Sequence, residues 1–107
     1  MFNIKELMEV TEARKLNDFK IDDNKTFVIS TDTRVINKNN VYLPLVGEKF
    51  DGHSFIENAI KNSDVEVYFT NNEKYNFKNA LGLLVKDTKE AYLKLAKYYK
   101  DKINPIT

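Results

Sequence analysis

The sequence predicts an α/β domain, a small mixed sheet with flanking helices that contains a βαβ unit. Two patterns and one bound carry that reading. Residues 41–46 form a β-rich apolar run, Phe55, Ile56, Ala59 and Ile60 then recur on one helical face, and residues 65–69 return to strand character. A strand, a helix and a strand in this order normally place the two strands in parallel. The bound is size: 107 residues, 42% hydrophobic and 31% charged, suit one core and leave little room for a second lobe over a substrate.

The elements follow in chain order. Ile4, Leu7 and Met8 repeat at helical spacing and predict a short amphipathic helix ending before Lys15. Residues 27–29 are short and β-branched, a strand. In the run 41–46, Pro44 removes a ladder donor and predicts an edge or a bulge, and Gly47 ends the strand. The helix from Ser54 leads to the strand at 65–69, an asparagine-rich loop covers 71–79, and residues 83–85 make a further strand. Asp87 and Glu90 have capping-box spacing, and Ala91, Tyr92, Leu95, Tyr98 and Tyr99 continue a helix to about Lys102, where Pro105 stops it. A chain ending at 104–107, just after a helix, reads as a cut through a longer protein.

Composition excludes several classes of function. Without cysteine there is no disulfide, thiol nucleophile or thiolate metal site, and one histidine, His53, is a poor basis for zinc. No metal site is expected. The longest uncharged apolar stretch, 41–47, falls far short of the roughly 20 residues that span a bilayer, and the N-terminus lacks a signal-peptide pattern. A cytoplasmic location and no membrane partner are expected. A net charge of +1 and only two arginines, Arg14 and Arg34, argue against nucleic acid. The six lysines between 86 and 102 are offset by Asp87, Glu90 and Asp101, the pattern of a solvated helix face. Three glycines and no G-x-x-x-x-G-K-[ST] loop leave no recognisable ATP site, and no catalytic constellation is present.

Two polar segments follow predicted strands, where α/β scaffolds place ligands. In 30–34, Ser30, Thr31, Asp32 and Thr33 offer oxygen atoms and Arg34 a guanidinium, a set suited to a diphosphate. The same residues also suit a plain turn in which Asp32 caps backbone N–H groups and pairs with Arg34. In 47–53, Gly47, Glu48, Lys49, Phe50, Asp51, Gly52 and His53 offer a cation, an aromatic ring and glycine backbone. They equally suit a connection in which Asp51 or Ser54 caps the helix and Phe50 enters the core.

These segments carry a resemblance. The stretch 29–34, then 41–56 with its G-E-K-F-D-G-H-S-F-I run, Ala59, and the closing D-T-x-x-A-x-x-x-L-A-x-Y-Y pattern from Asp87 to Tyr99 resemble the N-terminal domain of the Mur ligases over essentially the whole chain. Within that family, 47–53 and Tyr98-Tyr99 are more similar to the members that add D-alanyl-D-alanine to UDP-N-acetylmuramoyl-tripeptide than to those that add the third peptide residue. The resemblance implies residues 1–107 as a single UDP-substrate-binding domain, inactive alone, of a cytoplasmic bacterial enzyme of peptidoglycan synthesis and cell-wall biogenesis. ATP and Mg²⁺ would serve domains absent from this chain, where D-alanyl-D-alanine would also bind. Carried over residue by residue, UDP contacts fall on Thr31, Thr33, Glu48, Lys49 and Phe50. Asp32, Arg34, Gly47, Asp51, Gly52 and His53 would shape the loops, and no residue here would be catalytic. Thr33 stands in place of the family serine, keeping a hydroxyl and adding a methyl. Pro44, Asn39-Asn40 and Ser63-Asp64 also depart from the family pattern, at turns and strand geometry. A stand-alone nucleotide-sugar binding module and an interaction domain without UDP are the readings from other classes.

Overall fold

A computed structural model describes residues 1–47 and 51–103. Helix α1 (Ile4–Thr11) starts in a complete capping box, Asn3 Oδ1 accepting the Glu6 amide at 2.8 Å and Glu6 Oε1 the Asn3 amide at 3.1 Å. Then come β1 (Arg14–Lys15), β2 (Val28–Ser30), β3 (Asn40–Tyr42), α2 (Ile56–Ser63), β4 (Val67–Thr70), β5 (Leu81–Leu84) and α3 (Thr88–Ile103). Short 3₁₀ turns at Thr33–Val35 and Gly52–Phe55 follow β2 and precede α2.

The sheet order is β1-β5-β4-β3-β2; β2 to β5 are parallel and β1 is antiparallel to β5. The predicted βαβ unit is β3-α2-β4, with Val41 opposite Val67 and Tyr42 opposite Tyr68. Helices cover both faces. Val41, Leu43, Val67, Phe69, Leu81 and Leu83 pack with Leu7 of α1 and Ala91 and Leu95 of α3, whereas Tyr42 and Tyr68 face Ile56, Ala59 and Ile60 of α2. Burial of alternate residues in two different cores explains why these strands read as unbroken apolar runs.

The structure corrects several expectations. Strand β3 stops at Tyr42, so Pro44 lies beyond its end, and β3 is interior, between β4 and β2. Val46 instead forms a lone antiparallel bridge with Asp51. Helix α2 starts at Ile56 after the 3₁₀ turn, which rotates Phe55 out of the buried stripe; the ring is 39% exposed. Strand β1 has two exposed residues and no periodicity to betray it. At α3 only half the capping box forms. Asp87 accepts the Lys89 and Glu90 amides at 2.9 and 3.3 Å, while the Glu90 carboxylate pairs with Lys94 at 3.2 Å.

Candidate functional site

Because β2, β3, β4 and β5 are parallel, their last residues, Ser30, Tyr42, Thr70 and Leu84, stand along one edge of the sheet. The predicted segments 30–34 and 47–53 leave neighbouring strands at that edge. Beside the first of them opens a cavity of ≈ 530 Å³ lined by Thr31, Asp32, Thr33, Arg34, Tyr42 and Phe55.

Asp32 organises the first loop. Its Oδ1 accepts the Arg34 amide at 2.9 Å and caps the turn Thr33–Val35, and both carboxylate oxygens are held by the Arg34 guanidinium at 2.8 to 3.2 Å. The Arg34 side chain, followed by its amide, lowers the Asp32 carboxyl to about 2, and the same pairing raises Arg34. With Asp32 and Arg34 occupied by each other, the half-buried Thr31 and Thr33 line the cavity. Among the described residues neither hydroxyl takes a hydrogen-bond partner.

Asp51 repeats this device in the second loop. Its Oδ1 accepts the His53 amide at 2.9 Å, capping the turn Gly52–Phe55, and lies 2.8 Å from His53 Nδ1. Burial alone would raise the Asp51 carboxyl; the amide and ring of His53, with the field of Lys74, outweigh it and leave the group lowered. His53 is 2% exposed, and its Nε2 accepts the Asn71 amide at 3.3 Å. An imidazole that accepts at Nε2 is neutral with its proton on Nδ1, so His53 here braces two loops. Tyr42 underlies both. Its hydroxyl donates to the Gly52 carbonyl at 2.8 Å, and burial, with Asp51 and Asp32 nearby, pushes it up to about 12. It is a fixed donor at neutral pH.

Of the predicted site residues, Thr31, Asp32, Thr33 and Arg34 come together at the cavity, and Gly47, Asp51, Gly52 and His53 form the adjoining loop. Glu48, Lys49 and Phe50 lie outside the described residues. Tyr42 and Phe55 join the lining without having been singled out for it. Tyr42 read as strand core and Phe55 as helix core, and only the turn at Gly52–Phe55 brings the second to the cavity. Among the described residues no three His, Asp or Glu side chains gather as metal ligands, and no helix is long and apolar enough to cross a membrane.

No protein-family model matches the chain. Individual proteins do. It is 31% identical over 102 residues, 95% of its length, to the UDP-N-acetylmuramoyl-tripeptide–D-alanyl-D-alanine ligase of Haemophilus influenzae, and 38% identical over 71 residues, 66% of its length, to that of Bacillus subtilis. In sequence the chain resembles the Mur ligases of the MurF type. A MurF of Acinetobacter baumannii, 24% identical over 94% of this chain, superimposes with a TM-score of 0.80, and a second structure of such a ligase from that organism with 0.81, so the fold is the one found in MurF. The UDP-N-acetylmuramoyl-L-alanyl-D-glutamate–2,6-diaminopimelate ligase of Clostridium tetani is also similar, 34% identical over 110 aligned residues and 96% of this chain. The chain spans 21% and 16% of the two curated MurF proteins, about a fifth of their length.

Proposed function

We propose that this chain is the substrate-anchoring domain of an ATP-dependent ligase that joins D-alanyl-D-alanine to UDP-N-acetylmuramoyl-tripeptide in bacterial peptidoglycan synthesis. The observation that carries the reading is the cavity at the carboxyl ends of β2 and β3, lined by the Thr31 to Arg34 motif, in a chain similar to MurF proteins over nearly its whole length. The hydroxyls of Thr31 and Thr33 donate to the diphosphate. Asp32 and Arg34 hold the first loop, and Asp51, Gly52 and His53 with Gly47 hold the second, so that Glu48, Lys49 and Phe50 complete the UDP contacts. A site built of donors already in place binds the UDP handle with little reorganisation, and that remote binding energy positions the peptide carboxylate for chemistry elsewhere in the enzyme.

ATP and Mg²⁺ belong, in this reading, to further domains of a longer cytoplasmic ligase, as does D-alanyl-D-alanine, and residues 1–107 alone are inactive. The similarity to the Clostridium tetani ligase favours one second reading, the corresponding domain of the enzyme that adds the third peptide residue.

A residue-resolved NMR titration of the chain with UDP-N-acetylmuramoyl-tripeptide, with ATP as control, tests the proposal. Shifts clustered at 31–34 and 51–53, absent with ATP, are the expected result. Silence up to millimolar substrate would remove the UDP anchor from this chain.

A further inference from the structure

The cavity beside the first loop has two chemically different walls. Thr31, Asp32, Thr33 and Arg34 make a polar one, and two aromatic residues, Tyr42 and Phe55, supply the other. The two rings are not equivalent. Tyr42 is 1% exposed with its hydroxyl committed to Gly52, whereas Phe55 is 39% exposed and is the ring that a ligand in the cavity can cover.

That exposure is built into the backbone. An α-helix begun at Ser54 would set Phe55 on the buried stripe of Ile56, Ala59 and Ile60. The turn Gly52–Phe55 intervenes, closed by Ser54 Oγ donating to the Asp51 carbonyl at 3.1 Å and by the Ile56 amide donating to the His53 carbonyl. Both ends of the turn are fixed. The Gly52 amide donates to the Leu45 carbonyl at 2.8 Å, and Ile56 is fully buried against the sheet. Phe55 is therefore held between two anchored neighbours at φ −102° and ψ −2°, lining the cavity before any ligand arrives. A ring placed in advance loses little freedom on binding.

A single exposed phenylalanine on an open surface needs no explanation. This one shares a cavity with two hydroxyls and a guanidinium, and a nucleotide brings the matching chemistries together, an anionic diphosphate and a planar base. We infer that Phe55 is the platform on which the uracil base of the ligand packs while the diphosphate lies on the Thr31 and Thr33 hydroxyls. The inference rests on the proposed function and adds to it the residue that recognises the base. Aromatic rings hold bases by stacking on their π faces.

The test is an NMR titration of this chain with UDP-N-acetylmuramoyl-tripeptide that follows the protein amides and the uracil ring protons together, repeated on Phe55→Leu and Phe55→Tyr. In the parent chain the uracil protons are expected to move upfield, as protons over an aromatic face do, while the amides of 31–34 shift. Phe55→Leu keeps an apolar side chain and removes the ring; the upfield shift is lost and affinity falls about tenfold, within the range for one base stacked on one ring. Phe55→Tyr retains both. Thermal melts of the free variants separate this from a loss of fold. Amide shifts at 31–34 with no upfield shift of the uracil protons, an upfield shift that survives in Phe55→Leu, or unchanged affinity in that variant overturn the platform and leave the proposed function standing. Absence of shifts everywhere in the parent chain overturns the proposed function itself.

Discussion

Tyr42 and Gly52 are in direct contact: the tyrosine hydroxyl donates to the glycine carbonyl at 2.8 Å, and a Cβ on Gly52 would stand 2.9 Å from that same hydroxyl oxygen. The Pro44 Cα and Leu45 N would be 3.0 and 3.1 Å away. The 44–45 backbone cannot retreat as a side-chain tip can, so glycine is required here for close approach. Gly52→Ala is expected to destabilise the fold by about 1–3 kcal/mol, in the range for overpacked sites. Denaturant melts of Gly52→Ala, Tyr42→Phe and the double variant check this. Removing the hydroxyl should relieve part of the alanine's cost, and strict additivity would show that the two residues do not share the strain.

Thr33 bears on ligand binding. If its hydroxyl donates to a diphosphate oxygen, Thr33→Val keeps the shape and removes the donor, and affinity for the UDP substrate falls by about 1 kcal/mol or somewhat more. Isothermal titration of the two chains measures this. Equal affinities would take Thr33 out of the site.

The Asp32 to Arg34 pair sets a pH dependence whose sign follows from the lowered carboxyl. Asp32 sits near 2 when folded against an ordinary value near 3.8. Its contribution to stability is therefore fully present above pH 4 and is lost as pH falls through about 2. Carboxyl NMR titration should find Asp32 near 2 and, in Arg34→Gln, moved up toward the ordinary carboxylate range. An Asp32 unmoved by that substitution would show that Arg34 is not the cause.

Asn17 fastens the β4–β5 loop from its far side. Its Nδ2 lies within 2.9 to 3.1 Å of Asn76 Oδ1 and of the Phe77 and Ala80 carbonyls, and its Oδ1 accepts the Phe19 amide at 3.0 Å. Asn17→Ala strands several partly buried groups and is expected to cost about 1–3 kcal/mol, with faster amide exchange at residues 76–80 than in the parent chain. A neutral effect on both readouts would mean that Tyr68, whose hydroxyl bridges the Tyr75 carbonyl and Phe77 amide at 2.7 and 2.9 Å, suffices to hold the loop.

At the end of α2, Asp64 adopts the left-handed conformation, φ 56° and ψ 30°, where glycine is the unstrained residue. Asp64→Gly should raise stability by about 0.5–1 kcal/mol, seen as a higher denaturation midpoint with unchanged slope. A lower midpoint would show that the aspartate side chain stabilises the cap by more than the strain costs.

The sequence alone determined what depends on neighbouring residues. Short apolar, β-branched runs and period-3.6 patterns placed α1, α3, β2 and the β3-α2-β4 unit, because burial on both faces of a strand and on one face of a helix is imprinted on short stretches of chain. The turn in which Asp32 pairs with Arg34 was legible for the same reason, being closed over two residues, and so was Asp51 as one of two candidate caps, whereas its contact with the His53 ring was not. Tertiary structure decided what depends on chain segments meeting. Strand β1 exists only because Arg14 and Lys15 find Leu84 and Leu83 across 68 or more residues, and a two-residue exposed strand has no pattern of its own. Pro44 could be excluded from an edge only once β2 was seen beyond β3. The same holds at the site. The two motifs were readable one by one, but the parallel sheet sets their loops side by side, the 3₁₀ turn aims Phe55 at the cavity, and the buried His53 ring joins Asp51 to Asn71, a link between residues 20 positions apart that only packing can make.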